Sequence, residues 1–120
     1  MEKKTLVIGA SLKPQRYSNK AINKLIDNDI ETLAIGLREG EVSGVEIIKY
    51  KAHFNNIHTV TLYLNANNQK SYYDYIISLN PQRVIFNPGT ENYELYQLLQ
   101  DNGIHYEIAC TLVLLSTNQY

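Results

Sequence analysis

The sequence contains few of the residues that cross-link small proteins or bind polyanions. Its single cysteine, Cys110, excludes an intramolecular disulfide and a cysteine-rich zinc site, and it is typical of proteins in a reducing compartment. Tryptophan is absent, although ten residues are tyrosine. Eleven basic and twelve acidic residues give a net charge of −1, which provides no electrostatic basis for binding nucleic acid through its phosphates.

Long apolar runs are also missing. The basic start, residues 1–4, is followed by only four residues, 5–8, before Gly9, and this is too short for a signal peptide or a membrane span. We therefore expect a soluble, cytoplasmic protein with neither a membrane nor a nucleic acid as its partner. A chain of 120 residues has the size of one domain and can bury a core without a metal or a disulfide, so we expect a single domain over residues 1–120.

Five short runs rich in β-branched or aromatic residues recur along the chain, with starts 22 to 27 residues apart. Most intervals leave room for a helix of about three turns, which is typical of βαβ units and a parallel sheet. The predicted strands are residues 5–8, 32–35, 59–64, 83–86 and 105–109. With right-handed crossovers they predict an α/β fold, a doubly wound, Rossmann-like three-layer sandwich whose mostly parallel sheet has about five strands.

Three of the intervals show the apolar spacing and the terminal residues of helices. The expected helices begin with Ser18 or Asn19 as N-cap, after Asn67, and with Thr90 as N-cap; they end at Asp27-Asn28, Asn80-Pro81 and Gly103. The interval 36–56 has three glycines that break any long helix, and it predicts a loop with one short extended piece within residues 45–50. Residues 112–115 are expected to form a last helical turn or two.

In a sheet of this kind, ligands bind beyond the carboxyl ends of the strands, where the strand order reverses. The first strand leads through the loop 9–19 directly into a helix, so small residues allow backbone N–H groups to approach a ligand at the positive end of the helix dipole. Lys13 and Arg16 add positive charge, since an ammonium and a guanidinium both bind phosphate. The loop is therefore a predicted anion site.

The loop matches neither common phosphate-binding motif. The dinucleotide fingerprint requires glycines where Ser11 and Pro14 stand, and a Walker A loop ends in Gly-Lys-Ser or Gly-Lys-Thr. An NAD site also needs an acidic residue after the second strand, where this chain has Arg38. Arg38 favours a phosphorylated ribose, as in coenzyme A (CoA) or NADP; the alternative is that it is a solvated loop residue.

Two further strand ends line the same edge. Asn65 follows the third strand, and Asn87-Pro88-Gly89 follows the fourth, whose glycine permits close approach of the backbone to a ligand. The asparagine side chains are candidate partners for amide or hydroxyl groups of a ligand. Alternatively, both asparagines only cap turns, as this residue commonly does.

The residues of the first loop resemble a known family. Gly9-Ala10-Ser11, followed by Pro14, Arg16 and Ser18, is similar to the opening of small single-domain CoA-binding proteins with a Rossmann-like fold, related to the CoA-binding domain of succinyl-CoA synthetase. Cys110, after the last strand, matches a position where many of them carry a cysteine. The resemblance implies CoA or acyl-CoA as the ligand, with its 3′-phospho-ADP part over residues 9–18 and Arg16 near phosphate.

The expected ligand contacts combine the loop analysis with this resemblance. Tyr17 is placed to stack on an adenine or to close over a pantetheine arm. Cys110 is a possible contact of the ligand thiol; the alternative is a small buried apolar residue. The predicted cofactor-binding residues are Gly9, Ala10, Ser11, Lys13, Pro14, Arg16, Tyr17, Ser18, Arg38, Asn65, Asn87, Pro88 and Gly89.

A catalytic set is not evident in the sequence. His53 and His58 precede the third strand and His105 begins the fifth, which places all three at the amino side, away from the predicted ligand edge, and no metal-ligand spacing is present. The sequence therefore leaves open whether the protein is an enzyme and favours binding without catalysis. The alternatives are an NADP-linked or other nucleotide-binding enzyme, and a partner-binding protein on a nucleotide fold. A homodimer is a further possibility, because a small sheet has exposed edge strands.

Overall fold

A mixed sheet of seven strands organises residues 2–120, the part of the chain that the structure, a computed structural model, describes. The strands are β1 (Thr5–Ala10), β2 (Thr32–Gly36), β3 (Gly40–Val42), β4 (Val45–Ile48), β5 (Thr59–Leu62), β6 (Arg83–Phe86) and β7 (His105–Ile108). The helices are α1 (Tyr17–Asp27), α2 (Ala66–Gln69), α3 (Tyr73–Leu79), α4 (Tyr93–Asp101) and α5 (Thr111–Ser116), with a 3-10 turn (Lys70–Tyr72) between α2 and α3. Within residues 2–120, each helix is too short or too polar to traverse a lipid bilayer.

The strand order defines one switch point. Across the sheet the order is β3-β4-β2-β1-β5-β6-β7, with β3 antiparallel to β4 and the other neighbouring pairs parallel. The chain winds outward from β1 through β2 to β4 and then returns to β5 on the opposite side of β1. The loops that follow β1 and β5 therefore diverge at the carboxyl edge and leave a crevice between them.

The core lies on both faces of the central strand. β1 is covered by helices on both sides, so its apolar residues form a continuous run rather than an alternation. Leu6 and Ile8 face the layer of α3 and α4, whereas Val7 faces the layer of α1 and α5. Each fully buried Leu or Ile contributes about 1.5–3 kcal/mol by removal of apolar area from water. The three-layer, doubly wound, Rossmann-like α/β prediction is confirmed.

The strand count differs from the predicted five. Residues 36–56, predicted as a loop with one extended piece, form the hairpin β3–β4, and β4 extends the parallel sheet beside β2. Its turn residues, Ser43 and Gly44, both have positive φ (50° and 82°), as two-residue turns matched to strand twist require. The predicted extended piece is β4, whereas β3 has only three residues, too few for an alternating pattern to be recognised. Residues 37–58 contain no helix, and Ala52 and Phe54 pack against the core instead.

The expected start of α1 was wrong. The helix begins at Tyr17 with Arg16 in the N-cap position, rather than with Ser18 or Asn19 as the cap. The reason lies in a tertiary contact, because the Asn19 side chain donates to the Ser11 carbonyl oxygen at 2.9 Å. A side chain that holds the preceding loop is not available to cap the helix.

Two other helix starts also differ from the prediction. The second helix begins at Ala66, where Asn65 accepts from the Asn68 N–H, and it passes through the 3-10 turn before α3. The third, α4, is capped by Asn92 rather than Thr90. The Thr90 hydroxyl instead donates to the Asn87 carbonyl oxygen inside the preceding loop.

The expected helix ends agree with the structure. Asn28 is the C-cap of α1. Asn80, just before Pro81, takes the left-handed conformation at the end of α3, and Gly103 does the same after α4, with φ of 46° and 67°. The final stretch forms α5, which packs against α1.

At the opposite, amino edge of the sheet, a charged cluster surrounds the start of β6. Arg83 is 7% exposed, donates from Nε to the Thr59 hydroxyl, and lies 4.4 Å from the centre of the Tyr120 ring. Its guanidinium is 3.7 Å from a carboxylate oxygen of Glu107. His58 lies in the same region, and burial together with the positive charges of Arg83 and Lys3 lowers the pKa of His58.

Replacement of His58 by glutamine should reduce the acid sensitivity of the fold. Because the pKa of His58 is lower in the folded chain than its ordinary 6.5, its stabilising contribution is complete above that pH and is lost as the pH falls toward the folded-state value. We expect the wild type to lose more free energy of unfolding than His58→Gln between about pH 7.5 and about pH 5. Urea denaturation at each pH measures the difference. The exposed His53 provides the control, since His53→Gln should behave as wild type; equal losses in wild type and His58→Gln would contradict the assignment.

Candidate functional site

Five loops meet at the carboxyl edge of the sheet. They are residues 11–16 after β1, 37–39 after β2, 63–65 after β5, 87–92 after β6 and 109–110 after β7. Every predicted cofactor-binding residue lies in these loops, at the end of β1, or in the first turn of α1. The sheet order places the β1 loop between those that follow β2 and β5, so the switch point is at the centre of this edge.

Two glycines allow β1 to leave the sheet between close neighbours. Gly9 has a φ of 94°, and a β-carbon there would lie 2.9 Å from the Tyr63 carbonyl carbon. A β-carbon on Gly36, at the end of β2, would lie 2.3 Å from the Ala10 carbonyl oxygen. Side chains at either position would push the neighbouring strand away. The glycines therefore allow the neighbouring backbone segments to approach one another closely at the switch point.

The loop after β1 is held from beneath by buried amides. The Asn19 side chain, with the residue 4% exposed, donates to the Ser11 carbonyl oxygen, and the Asn23 side chain donates to Asn19 Oδ1 at 3.0 Å. The Lys13 N–H bonds the Ser11 hydroxyl, and the Arg16 N–H bonds the Lys13 carbonyl oxygen at 3.0 Å. These bonds fix the loop while its charged side chains point to solvent. These hydrogen bonds were not predicted from the sequence, where only the i, i+4 spacing of the two asparagines indicates them.

The positive end of the α1 helix dipole is not balanced by a capping or acidic side chain of the first turn. Within residues 2–120, no side chain hydrogen-bonds the first turn as a cap, and that turn carries no acidic residue. Lys13, Arg16 and Lys20 are all exposed around it. The helix dipole and three cationic side chains therefore favour an anion at this point.

The two predicted contacts at the helix start differ in exposure. Tyr17 is 69% exposed, with the Lys20 ammonium 5.4 Å from its ring centre. Ser18 is only 4% exposed and lies beneath the surface, so direct contact of its side chain with a ligand is not available. Ala10 is similarly buried at 7%, which limits its part to the backbone.

The loop after β2 is joined to the first loop by an apolar contact. A β-carbon on Gly40 would lie 2.5 Å from Leu12 Cδ2, which shows how closely the Leu12 side chain covers the start of β3. Arg38 is exposed, two residues before that contact. Leu12 and Leu37, which are 39% and 87% exposed, add apolar surface next to these basic residues.

Asn87 has a different role from the predicted ligand contact. It is 2% exposed, and its amide group donates to the Thr61 hydroxyl at 2.7 Å and to the Leu62 carbonyl oxygen at 2.8 Å. The oxygen of the same side-chain amide, Oδ1, accepts from the Thr111 N–H at 2.8 Å. The side chain has thus used both amide hydrogens and its oxygen within the protein, and it ties the ends of β5 and β6 to the start of α5.

Asn65 also has an internal partner, because its side chain caps α2. Both asparagines hold turns, but this does not occupy all of Asn65, whose contact with a ligand stays a prediction. Unlike Asn87, Asn65 is exposed. Pro88 and Gly89 are exposed as well, and Gly89 has a φ of 91° with open space around the position of a β-carbon.

A buried polar network that the sequence did not indicate joins the loops after β5 and β6. Gln69 is fully buried, and its amide group donates to the carbonyl oxygens of Leu64 and Thr90 at 2.8 and 2.7 Å. Asn92 donates to Gln69 Oε1 and to the Tyr73 hydroxyl, both at 2.9 Å. The two loops therefore act as one rigid wall of the crevice.

Cys110 is partly exposed, in the N-cap position of α5. Beside it Tyr63 follows β5, and its hydroxyl is buried near the hydroxyls of Thr61 and Thr111. Burial raises the pKa of Tyr63 well above its ordinary value. Tyr63 therefore stays neutral and provides a polar but uncharged neighbour for the cysteine.

A cavity of about 380 Å³ lies at the other end of the molecule and differs chemically from the carboxyl edge. Its lining includes three carboxylates and one ammonium, from Glu2, Asp29, Glu31 and Lys3. An acidic lining disfavours a phosphorylated ligand, whereas the carboxyl edge is basic. The electrostatics therefore favour the carboxyl edge as the functional site.

Comparison with known proteins gives a family and several structural relatives. A family model described as a CoA binding domain matches residues 3–116. The crystal structure of an uncharacterized protein is 47% identical over 100% of this chain and 99% of its own, with a TM-score of 0.96. No curated protein sequence matches this one significantly.

Two solved structures with lower sequence identity share the fold. A hypothetical protein from Pyrococcus horikoshii OT3 is 22% identical, with a TM-score of 0.84 over 93% of this chain and 80% of that chain. The dinucleotide-forming acetyl-coenzyme A synthetase 1 of Ca. Korarchaeum cryptofilum, in complex with phosphate and ADP, is 11% identical, with a TM-score of 0.73. The match covers 92% of this chain but only 26% of that larger one.

Removal of the Asn87 side chain should destabilise the protein strongly. Asn87→Ala leaves the Leu62 carbonyl and the Thr111 N–H buried without their partner, and we expect a loss of about 2–4 kcal/mol in the free energy of unfolding. Asn65→Ala, which removes one exposed cap, should cost about 1 kcal/mol. Urea denaturation measures both. Equal losses in the two variants would mean that Asn87 does not join the three elements energetically.

Proposed function

The chain belongs to the family of CoA-binding domains, and on that premise we propose that it binds CoA or acyl-CoA at the carboxyl edge of its sheet without catalysing a reaction. One observation carries the proposal: the uncapped N-terminus of α1 lies at the switch point with Lys13 and Arg16 exposed beside it. CoA has a pyrophosphate and a 3′-phosphate, so its most charged part fits this positive end. The protein then acts as an accessory or sensor module of one nucleotide-binding domain.

The ligand lies across the edge in the following way. Its 3′-phospho-ADP part covers the loop from Gly9 to Arg16, where the guanidinium of Arg16 clamps phosphate and Lys13 adds a point charge. Arg38, in the adjoining loop, binds the 3′-phosphate. Tyr17 stacks on the adenine or closes over the pantetheine arm, since its ring is exposed beside these charges.

The pantetheine arm crosses the wall formed by the loops after β5 and β6. Asn65, Pro88 and Gly89 are exposed along this wall and provide its surface. Asn87 and Ser18 act from beneath, since burial removes their side chains from the ligand. The thiol or acyl end reaches the region of Cys110, which is partly exposed beyond the last strand.

The positions of the histidines support binding rather than catalysis. His58 immediately precedes β5 and His105 begins β7, so both lie at the amino edge, opposite the proposed ligand site. His53 lies in the loop before β5. Among residues 2–120, no group of three or more histidine, cysteine or carboxylate side chains is placed to hold a metal ion. The proposed site therefore provides charge and shape, but no base next to a nucleophile.

A second candidate function rests on Arg38. An exposed arginine after β2 also suits the 2′-phosphate of NADP, so an NADP-linked or other nucleotide-binding enzyme is the alternative. The two functions differ in which nucleotide stabilises the fold. CoA, but not NADPH, should raise the melting temperature if the first proposal is correct.

Calorimetric titration with CoA and with 3′-dephospho-CoA tests the roles of the arginines. We expect Arg16→Ala to weaken the binding of both ligands by roughly 10- to 100-fold, because it removes one charge-assisted contact. Arg38→Ala should abolish the preference for CoA over 3′-dephospho-CoA, because the difference between these ligands is the phosphate that Arg38 binds.

The control removes a positive charge elsewhere on the same helix. Lys24 lies in the last turn of α1, at the far end from the proposed site, so Lys24→Ala should bind both ligands as wild type does. The proposal fails if wild type shows no heat with either ligand, or if Arg16→Ala binds CoA unchanged.

The proposed position of the ligand thiol predicts a mixed disulfide. The Cys110 thiolate attacks CoA disulfide, the S–S bond of the disulfide breaks, and one CoA leaves as its thiolate while the other stays bound to Cys110. Intact mass measured after incubation with CoA disulfide should show one CoA adduct, which dithiothreitol removes. Cys110→Ser should show none. If the wild-type protein shows no adduct, the thiol of the ligand does not reach Cys110.

A further inference from the structure

Strand β7 presents unused backbone groups at an edge of the sheet. On its inner side it pairs with β6, and the next residue, Ala109, donates its N–H to the Phe86 carbonyl oxygen at 3.1 Å. In a strand the N–H and C=O of one residue point the same way and neighbours alternate. Tyr106 and Ile108 therefore direct their backbone groups outward, where residues 2–120 contain no further strand.

The side chains on this edge are apolar, or they are an imidazole and a carboxylate that lie 3.3 Å apart within the chain, His105 and Glu107. Ile108 is 61% exposed, and Val113 of the adjoining helix α5 is 55% exposed. Along the same strand, the side chain of His105 is 65% exposed and that of Glu107 is 32% exposed. Residues 105–108 contain no lysine, proline or glycine, the residues that commonly protect an edge from pairing.

The opposite edge of the sheet is protected by charge. β3 has an exposed glutamate, Glu41, at its centre, directly across from Glu46 of β4. A second chain paired there around Glu41 would bring further carboxylates together. Of the two edges in the described chain, β7 is therefore the one that can accept a strand.

We propose that a second copy of the chain pairs antiparallel along β7, with the two-fold axis at Tyr106. In this register the two Tyr106 residues exchange their outward N–H···O=C bonds. His105 then lies directly opposite Glu107 of the partner subunit, and the symmetry repeats the pair. Ile108 then lies beside the backbone of Ile104 of the partner subunit, and the pairing covers part of the exposed surface of Ile108.

The charges select this register from those that the backbone allows. In an antiparallel pair, a residue whose backbone groups point outward must lie opposite another such residue. The two-fold axis can therefore pass through a residue of β7, but not between two residues. An axis at Glu107 would place two carboxylates opposite each other, and an axis at His105 would pair two imidazoles. An axis at Ile108 would extend the pairing past the strand into α5.

The pairing forms one continuous sheet and leaves free the proposed site of the 3′-phospho-ADP part, whereas Cys110 follows β7 by two residues. Because the two strands are antiparallel, the carboxyl edges of the two copies face opposite ends of the dimer. The loop 11–16 and the start of α1 follow β1, and β5 and β6 lie between β1 and β7 in the sheet. Dimer formation and ligand binding are therefore separable in an experiment.

Sedimentation velocity of the full chain, from about 1 µM to about 100 µM, tests the dimer. We expect a species of twice 13.8 kDa in wild type. His105→Glu should weaken the dimer about tenfold, since it places like charges opposite each other at two symmetric positions, whereas His105→Lys should retain it. Ile108→Asp should give a monomer with wild-type circular dichroism and CoA affinity.

Amide hydrogen exchange locates the interface. In wild type at high concentration the Tyr106 and Ile108 amides should exchange slowly, and in Ile108→Asp they should exchange quickly while the β6 amides keep their protection. A monomer at the highest concentration overturns the proposal. So does a dimer in which the Tyr106 amide exchanges quickly, because its interface lies elsewhere. Equal dimer affinity of His105→Glu and His105→Lys overturns the register, and these two variants decide the matter if Ile108→Asp does not fold.

Discussion

The buried carboxamide of Asn87 is the interaction on which the carboxyl edge depends. Its two N–H groups and its oxygen reach Thr61, Leu62 and Thr111, so one side chain joins the ends of two strands to the start of α5. Each of these partners is buried, and an unmet backbone or hydroxyl group there would be costly. Cys110 immediately precedes Thr111, so the position of the sole thiol at this edge also follows from Asn87.

The two ends of the sheet divide stability and function between them. At the amino edge, Glu107 and Tyr120 both contact Arg83, so the charge of Arg83 is used within the protein. At the carboxyl edge, buried amides hold the loops, while Lys13 and Arg16 stay exposed. Buried polar groups that satisfy one another make a rigid base, and free charges on that base are available to a ligand. This division explains how a chain of 120 residues can provide both a core and a binding edge.

Prediction from the sequence succeeded where one local effect decides, and it was wrong where a side chain or a short segment had more than one available partner. Asn80 before Pro81 ends a helix for local steric reasons, and the structure agrees. Thr90 and Asn19 are good caps by local criteria, yet their side chains bond the backbone carbonyl oxygens of Asn87 and Ser11, three and eight residues earlier, instead. The extended piece predicted within residues 45–50 is β4, but β3 was missed because its three residues show no period and only their pairing with β4 makes them a strand.

The sequence by itself determined the alternation of strands and helices, the edge at which a ligand should bind, and the family resemblance of the first loop. These features follow from composition and spacing within about 10 to 20 residues, which the chain carries locally. The tertiary structure alone decided which polar side chains at this edge are buried and which are exposed. Asn65 and Asn87 look alike in the sequence, but Asn87 is 2% exposed and Asn65 is on the surface. The physical reason is that a buried amide takes the partners that packing brings to it, and those partners come from elements far away in the chain.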